Sequence, residues 1–137
     1  MISALDSSVI LDVLTGEGPF ADASEALVRN ARSQGKLVIC ECVLAEVRPA
    51  LESDDALRRL LEDWEMCFVP SSMDSAFLAG KLFALHVRRS GKAGRVVADF
   101  LIGAHALLHA DRLLARDRGY LRDYFAELRV SDPSRPN

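Results

Sequence analysis

Paired cysteines, a zinc-binding Cys/His set and any long apolar run are missing from this 137-residue chain. The three cysteines, Cys40, Cys42 and Cys67, are odd in number, and Cys40-Glu-Cys42 lacks the two-residue gap of a zinc knuckle. They read as reduced, structural thiols and suggest a cytoplasmic setting. No stretch is apolar enough for long enough to cross a bilayer, so no membrane partner is expected. Nor does the start resemble a leader, since it has no basic segment and meets Asp6 almost at once. Half of the residues are apolar and about a quarter charged, the balance of one ordinary globular domain. That domain is expected over 1–130. The tail 131–137 holds two prolines and no core residue, and is expected to be loose.

Evenly spread charge is also missing. The formal net charge is −3, but Glu41 to Glu65 holds eight acids against three bases, and His86 to Arg122 holds eight bases against three acids. Fourteen of the seventeen basic residues are Arg, the side chain that grips phosphate in two places at once. Solvated helix faces account for any single Arg. The asymmetry as a whole points to an anionic ligand on the C-terminal half.

What is present begins with Ile2, Ala4 and Leu5, a short apolar run ended by Asp6. Ser7-Ser8 follows, and then Val9, Ile10 and Val13 at helical spacing. This reads as a buried strand that stops at Asp6, with Ser7 or Ser8 capping the next helix. Further strands are expected at Leu37–Ile39, Cys67–Val69, Arg112–Ala115 and near Leu128–Val130, with helices between them. Strands alternating with helices mean an α/β fold with a parallel sheet. The long helix after Ser71-Ser-Met-Asp74 carries two apolar stripes. One holds Met73, Ala76, Phe77, Gly80, Phe83, Ala84 and Val87; the other holds Leu78, Leu82 and Leu85. One stripe serves the core and the other asks for a second partner, most simply another copy of the chain. The segment from Val96 to Leu108 is apolar on nearly all sides and should be central.

Four acids occupy comparable places. Asp6 ends the first strand and Asp117 follows the fourth. Glu46 borders the stripe of Val43, Val47 and Ala50, and Asp99 sits in the first turns of the most apolar helix. In an open parallel sheet these positions converge beyond the C-terminal strand ends. Two carboxylates about 4 Å apart repel by roughly 4 kcal/mol at an effective dielectric near 20, so convergence calls for a cation. Oxygen-only ligands select a hard ion, Mg²⁺ or Mn²⁺, which also makes bound water acidic. With a basic flank, the natural substrate is a phosphodiester. Taken singly, Asp99 reads equally as a helix-end charge paired with Arg95, Glu46 as a partner of Arg48, Asp117 as a turn residue and Asp6 as a cap. Asp12 and Asp111 read as surface acids. His105 and His109, at i and i+4, lack the Glu of a zinc helix and read as solvated or interface residues.

The motifs Asp6-Ser-Ser-Val-Ile-Leu, Leu44-Ala-Glu-Val47, Val97-Ala-Asp-Phe-Leu-Ile-Gly-Ala104 and Leu113-Leu-Ala-Arg-Asp117 resemble the acidic motifs of PIN domains, and most nearly the VapC toxins of bacterial toxin–antitoxin pairs. The resemblance runs from Met1 to about Val130. It implies a three-layer α/β/α fold with strand order 3-2-1-4-5, a homodimer, and Mg²⁺- or Mn²⁺-dependent cleavage of single-stranded RNA. It further implies 5′-phosphate products and an antitoxin whose C-terminal segment covers the acids. Asp6, Glu46, Asp99 and Asp117 match the acidic quartet, and Ser8 the small polar residue near it. Ala115 departs from the usual Thr or Ser before Arg-Asp. Asp6 and Asp99 are expected as direct metal ligands, Asp117 directly or through water, with Glu46 orienting the attacking water or a second ion. Arg88, Arg89, Lys92, Arg95 and Arg116 are expected against the RNA. A non-catalytic PIN scaffold that binds RNA or antitoxin is the competing expectation. Haloacid-type enzymes need a second Asp where this chain has Ser8, and receiver domains need an Asp where it has Val69-Pro70.

Overall fold

Short apolar runs become strands in this chain, most deeply buried at the centre of the sheet. In the computed structural model, which describes residues 1–90 and 97–135, the five strands are β1 (Ile2–Leu5), β2 (Lys36–Ile39), β3 (Met66–Phe68), β4 (Arg112–Leu114) and β5 (Val130–Ser131). They form one all-parallel sheet in the order β3-β2-β1-β4-β5. Ala4 lies level with Val38 on one side and Leu113 on the other, so β1 is the central strand. The flanking helices are α1 (Ser7–Thr15), α2 (Ala21–Gln34), α3 (Glu41–Val47), α4 (Asp54–Asp63), α5 (Met73–Ser90), α6 (Val97–His109) and α7 (Tyr120–Tyr124). This is the α/β class and strand order expected. No helix among the described residues is long and apolar enough to cross a membrane.

Local chemistry sets the element ends. The cap of α1 is Asp6 itself, whose carboxylate accepts from Ser8 N, rather than either serine. Ser53 caps α4, and Ser72 and Ser75 cap α5 reciprocally, each hydroxyl accepting from the other's backbone N–H. The central helix is α6: Phe100, Ile102, Gly103, Ala104, His105 and Ala106 are all buried. Gly103 is required there, because a Cβ would lie 2.8 Å from the ring of Phe125. Gly103→Ala is expected to cost about 1–3 kcal/mol by overpacking, read as a lower thermal midpoint. Activity should fall with it, since this contact fixes the distance between α6 and the segment after β4.

Several expectations change. On α5 the inward residues are Ser75, Leu78, Ala79, Leu82 and Phe83, whereas Met73 and Phe77 are 73% and 68% exposed. The leucine stripe therefore serves the core, and the unpartnered face is the one bearing Met73 and Phe77. His105 is not solvated: it is buried, and its Nε2–H donates to Val69 O at 2.7 Å. Burial holds its pKa below the ordinary value, so it stays neutral. His109 Nε2 meets Ser72 Oγ at 3.1 Å, and both histidines thus secure the β3–α5 connection. Arg112, counted with the basic flank, is buried and donates to Ser3 Oγ and Gln34 Oε1. The chain stays on the sheet through Ser131, past the point where a loose tail was expected. Asp132 then accepts from Asp117 N and from Ser134.

Candidate active site

The parallel order brings the C-terminal ends of β1 and β4 side by side. Asp6 N donates to Leu114 O at 2.9 Å, which ties the residue after β1 to the end of β4. Asp117 follows three residues later. α6 carries Asp99 in its first turn to the same rim, and α3, entered from β2, carries Glu46 there. Asp6, Asp99 and Asp117 line one cavity of about 20 Å³, room for a single water-sized occupant, together with Arg116, Arg118, Tyr120 and Leu121. Glu46 is the more exposed acid. Its Oε1 accepts from Ser7 Oγ at 3.1 Å, one residue from Asp6.

The four acids are not equivalent. Asp6 Oδ2 accepts from both Ser8 N (3.2 Å) and Ser8 Oγ (2.5 Å). Asp117 is held by backbone alone: Oδ1 accepts from Gly119 N and Leu121 N, and Oδ2 from Arg122 N. Asp99 accepts no hydrogen bond from a described residue. Burial raises its pKa, the charges of Asp6 and Asp117 raise it further, and among the described residues Arg118 opposes them. Glu46 is raised as well, first by burial and then by Asp6 and Asp99, against the Ser7 hydrogen bond and Arg118. A hard divalent cation fits this donor set. The ligands are all oxygen, the repulsion is relieved among the described residues by exposed Arg118, and no described residue engages the oxygens of Asp99. Asp6 Oδ1 and both oxygens of Asp99 accept no hydrogen bond from a described residue. Asp117, with both oxygens engaged, fits contact through water better.

Asp12 is not a surface acid. Its side chain is 13% exposed and forms a two-point pair with Arg116, Nε–Oδ2 and Nη2–Oδ1 both 2.9 Å, while Ser24 Oγ donates to Oδ2. Arg116 therefore does not offer a free guanidinium to RNA, as the sequence suggested. It braces α1 against the β4 end, its guanidinium 5.0 Å over the Phe20 ring. Its backbone N–H donates to Ser8 Oγ, which in turn donates to Asp6. The hydroxyl absent at Ala115 has a counterpart in Ser8, in the first turn of α1 beside the end of β1. Asp12→Ala is expected to cost about 1.5–3 kcal/mol, the worth of hydrogen bonds to a charged group, measured by denaturant unfolding.

Arg88 and Arg89 end α5, exposed, with Arg89 5.5 Å from the Tyr124 ring centroid. Lys92 and Arg95 lie outside the described residues. Two site residues escaped the sequence reading: Arg118, the cation facing Asp99 and Glu46, and Tyr120, in the cavity wall. Arg118 was legible as the third residue of Arg116-Asp-Arg118; nothing in spacing singled out Tyr120. Cys40, Glu41 and Cys42 bring their ligand atoms within 4.8 Å of one another at the end of β2, but both Glu41 oxygens are taken by Ser71 N and Oγ.

A sheet in this order with acids at the β1, β4 and α6 rim defines a class. The chain belongs to the PIN domain family, whose model matches residues 4–125. Among solved structures it is similar to VapBC2 from Rickettsia felis bound to a DNA fragment from their promoter, at 18% identity and TM-score 0.69, covering 96% of this chain and 98% of that one. VapBC-1 from nontypeable Haemophilus influenzae is 21% identical with TM-score 0.70, covering 98% and 100%. FitAcB from Neisseria gonorrhoeae is 21% identical with TM-score 0.66, covering 99% and 100%. At these identities the likeness is one of fold. No curated protein matches the sequence.

Proposed function

We propose that this chain is a Mg²⁺- or Mn²⁺-dependent endoribonuclease that cleaves single-stranded RNA and acts as the toxin of a toxin–antitoxin pair. The observation that carries this reading is the sharing of one small cavity by Asp6, Asp99 and Asp117, with Asp99 repelled by its neighbours and hydrogen-bonded to no described residue. When bound there, a divalent ion would supply charge neutralisation and acidify a water. Asp6 and Asp99 would hold it, while Ser8 fixes the rotamer of Asp6 and Asp117 is set by the backbone of α7. Glu46, raised above its ordinary value, orients the attacking water and takes up its proton. Arg118 offsets negative charge gathering on the phosphate. Arg88, Arg89, Lys92 and Arg95 guide the RNA backbone.

The partner is a protein antitoxin that covers the acids, a reading supported by the shared fold with VapBC. The exposed Met73–Phe77 face of α5 supports a homodimer. The deciding experiment incubates purified protein with a single-stranded RNA oligonucleotide. Cleavage is expected with Mg²⁺ or Mn²⁺, lost in EDTA and restored by excess metal. Binding without cleavage under all metal conditions would favour the non-catalytic scaffold instead.

A further inference from the structure

We propose that Tyr120 is a base-stacking residue that seats the nucleotide beside the scissile phosphate; this rests on the ribonuclease reading above. Tyr120 lines the cavity shared by Asp6, Asp99 and Asp117 and is only partly buried. It is braced from behind. His86 meets it edge-on at 5.3 Å and 87°, and Phe100, fully buried and next in sequence to Asp99, lies 5.9 Å away at 52°. His86 is itself fixed, its Nδ1 3.1 Å from Tyr124 Oη. The hydroxyl of Tyr120 has no hydrogen-bond partner among the described residues.

A partly exposed aromatic with an anchored back, standing at an acidic metal-type pocket, is poorly accounted for by packing alone. Its surroundings match a nucleotide. Arg118 lines the same cavity, and Arg89 lies over Tyr124 beside the brace. Cations take phosphates, and the ring offers a face to a base. Every base has such a face, so stacking positions a nucleotide without reading its identity. Single-stranded RNA, whose bases are free of a duplex, is the substrate that can use it.

The test uses the full chain with Mn²⁺ and one single-stranded RNA oligonucleotide, intact or carrying an abasic ribose at each position in turn. Wild type should cut one abasic version, with the gap beside the cleaved bond, roughly 10- to 100-fold less efficiently in kcat/KM than the intact strand. Tyr120→Phe keeps the ring and should behave as wild type. Tyr120→Leu should cut the intact strand as poorly as wild type cuts that abasic one, and should no longer distinguish the two. Equal cleavage of all strands by wild type, or retained discrimination in Tyr120→Leu, would overturn the proposal. Should Tyr120→Leu not fold, the wild-type abasic scan and Tyr120→Phe decide alone. If wild type cuts no intact RNA, the ribonuclease reading fails, and fluorescence anisotropy of the same strands then decides the stack: equal affinity for intact and abasic RNA refutes it.

Discussion

Asp99→Asn is expected to lower RNA cleavage by at least about 10²–10³-fold, as the loss of a preorganised electrostatic group does, and to remove growth inhibition, while leaving the protein as stable as before or more so. The carboxylate it removes is partly buried, repelled by Asp6 and Asp117, and without a hydrogen bond from any described residue. An amide of the same shape keeps the volume and sheds the repulsion. Asp6→Asn should behave alike in activity, and it keeps an oxygen to accept from Ser8 N at the start of α1. Asp117→Asn makes the informative contrast. Its two carboxylate oxygens accept three backbone N–H groups, and an amide offers only one acceptor oxygen. That variant should lose about 1–3 kcal/mol as well as activity. Measured by urea unfolding without metal, the three substitutions should therefore separate by sign. If Asp99→Asn unfolded as readily as Asp117→Asn, Asp99 would be a structural acid and the metal site would lose its best ligand.

Divalent ions and protons should reorder the stabilities of wild type and Asp99→Asn. Asp99 has a folded pKa above its ordinary 3.8. The favourable effect of its neutral form is therefore complete below that value and is lost as pH rises through the raised one. The facing groups are Asp6, Asp117 and Glu46, all acids, and Arg118. In metal-free buffer at neutral pH, the Asn variant should melt a few degrees higher than wild type. The gap should close as pH falls and Asp99 takes up a proton. His105 has the opposite sign, since its depressed pKa makes it lose stability as pH falls below 6.5, but it is common to both proteins and cancels. Adding Mn²⁺ at neutral pH should reverse the order. At 100 times its dissociation constant an ion binding only the folded wild type contributes about 2.7 kcal/mol, and the variant gains little. A gap independent of both pH and manganese would argue that no cation belongs in this pocket.

The sheet was legible because each strand is a short apolar run with a turn or an acid at its end, and because α6 is apolar almost all round. Strand ends read at Asp6 and Ala115 put Asp6 and Asp117 near one rim from the sequence alone. Side-chain commitments were not legible. Arg116 and Arg118 differ by two residues and look alike in sequence, yet one is locked to Asp12, 104 positions away, and the other faces the acids. Which stripe of α5 turns inward was also hidden. Met73 and Phe77 are as apolar as Leu78 and Leu82, and only the small buried contacts of Ser75 and Ala79 decide the rotation of the helix.

The central strand is also the first of the five in chain order. β1 finds β2 about thirty residues later, but its other neighbour, β4, begins only at Arg112. Until then one edge of β1 lies open, and the rim has no Asp117. A chain terminated before Arg112 therefore leaves that edge of β1 open to edge-to-edge association.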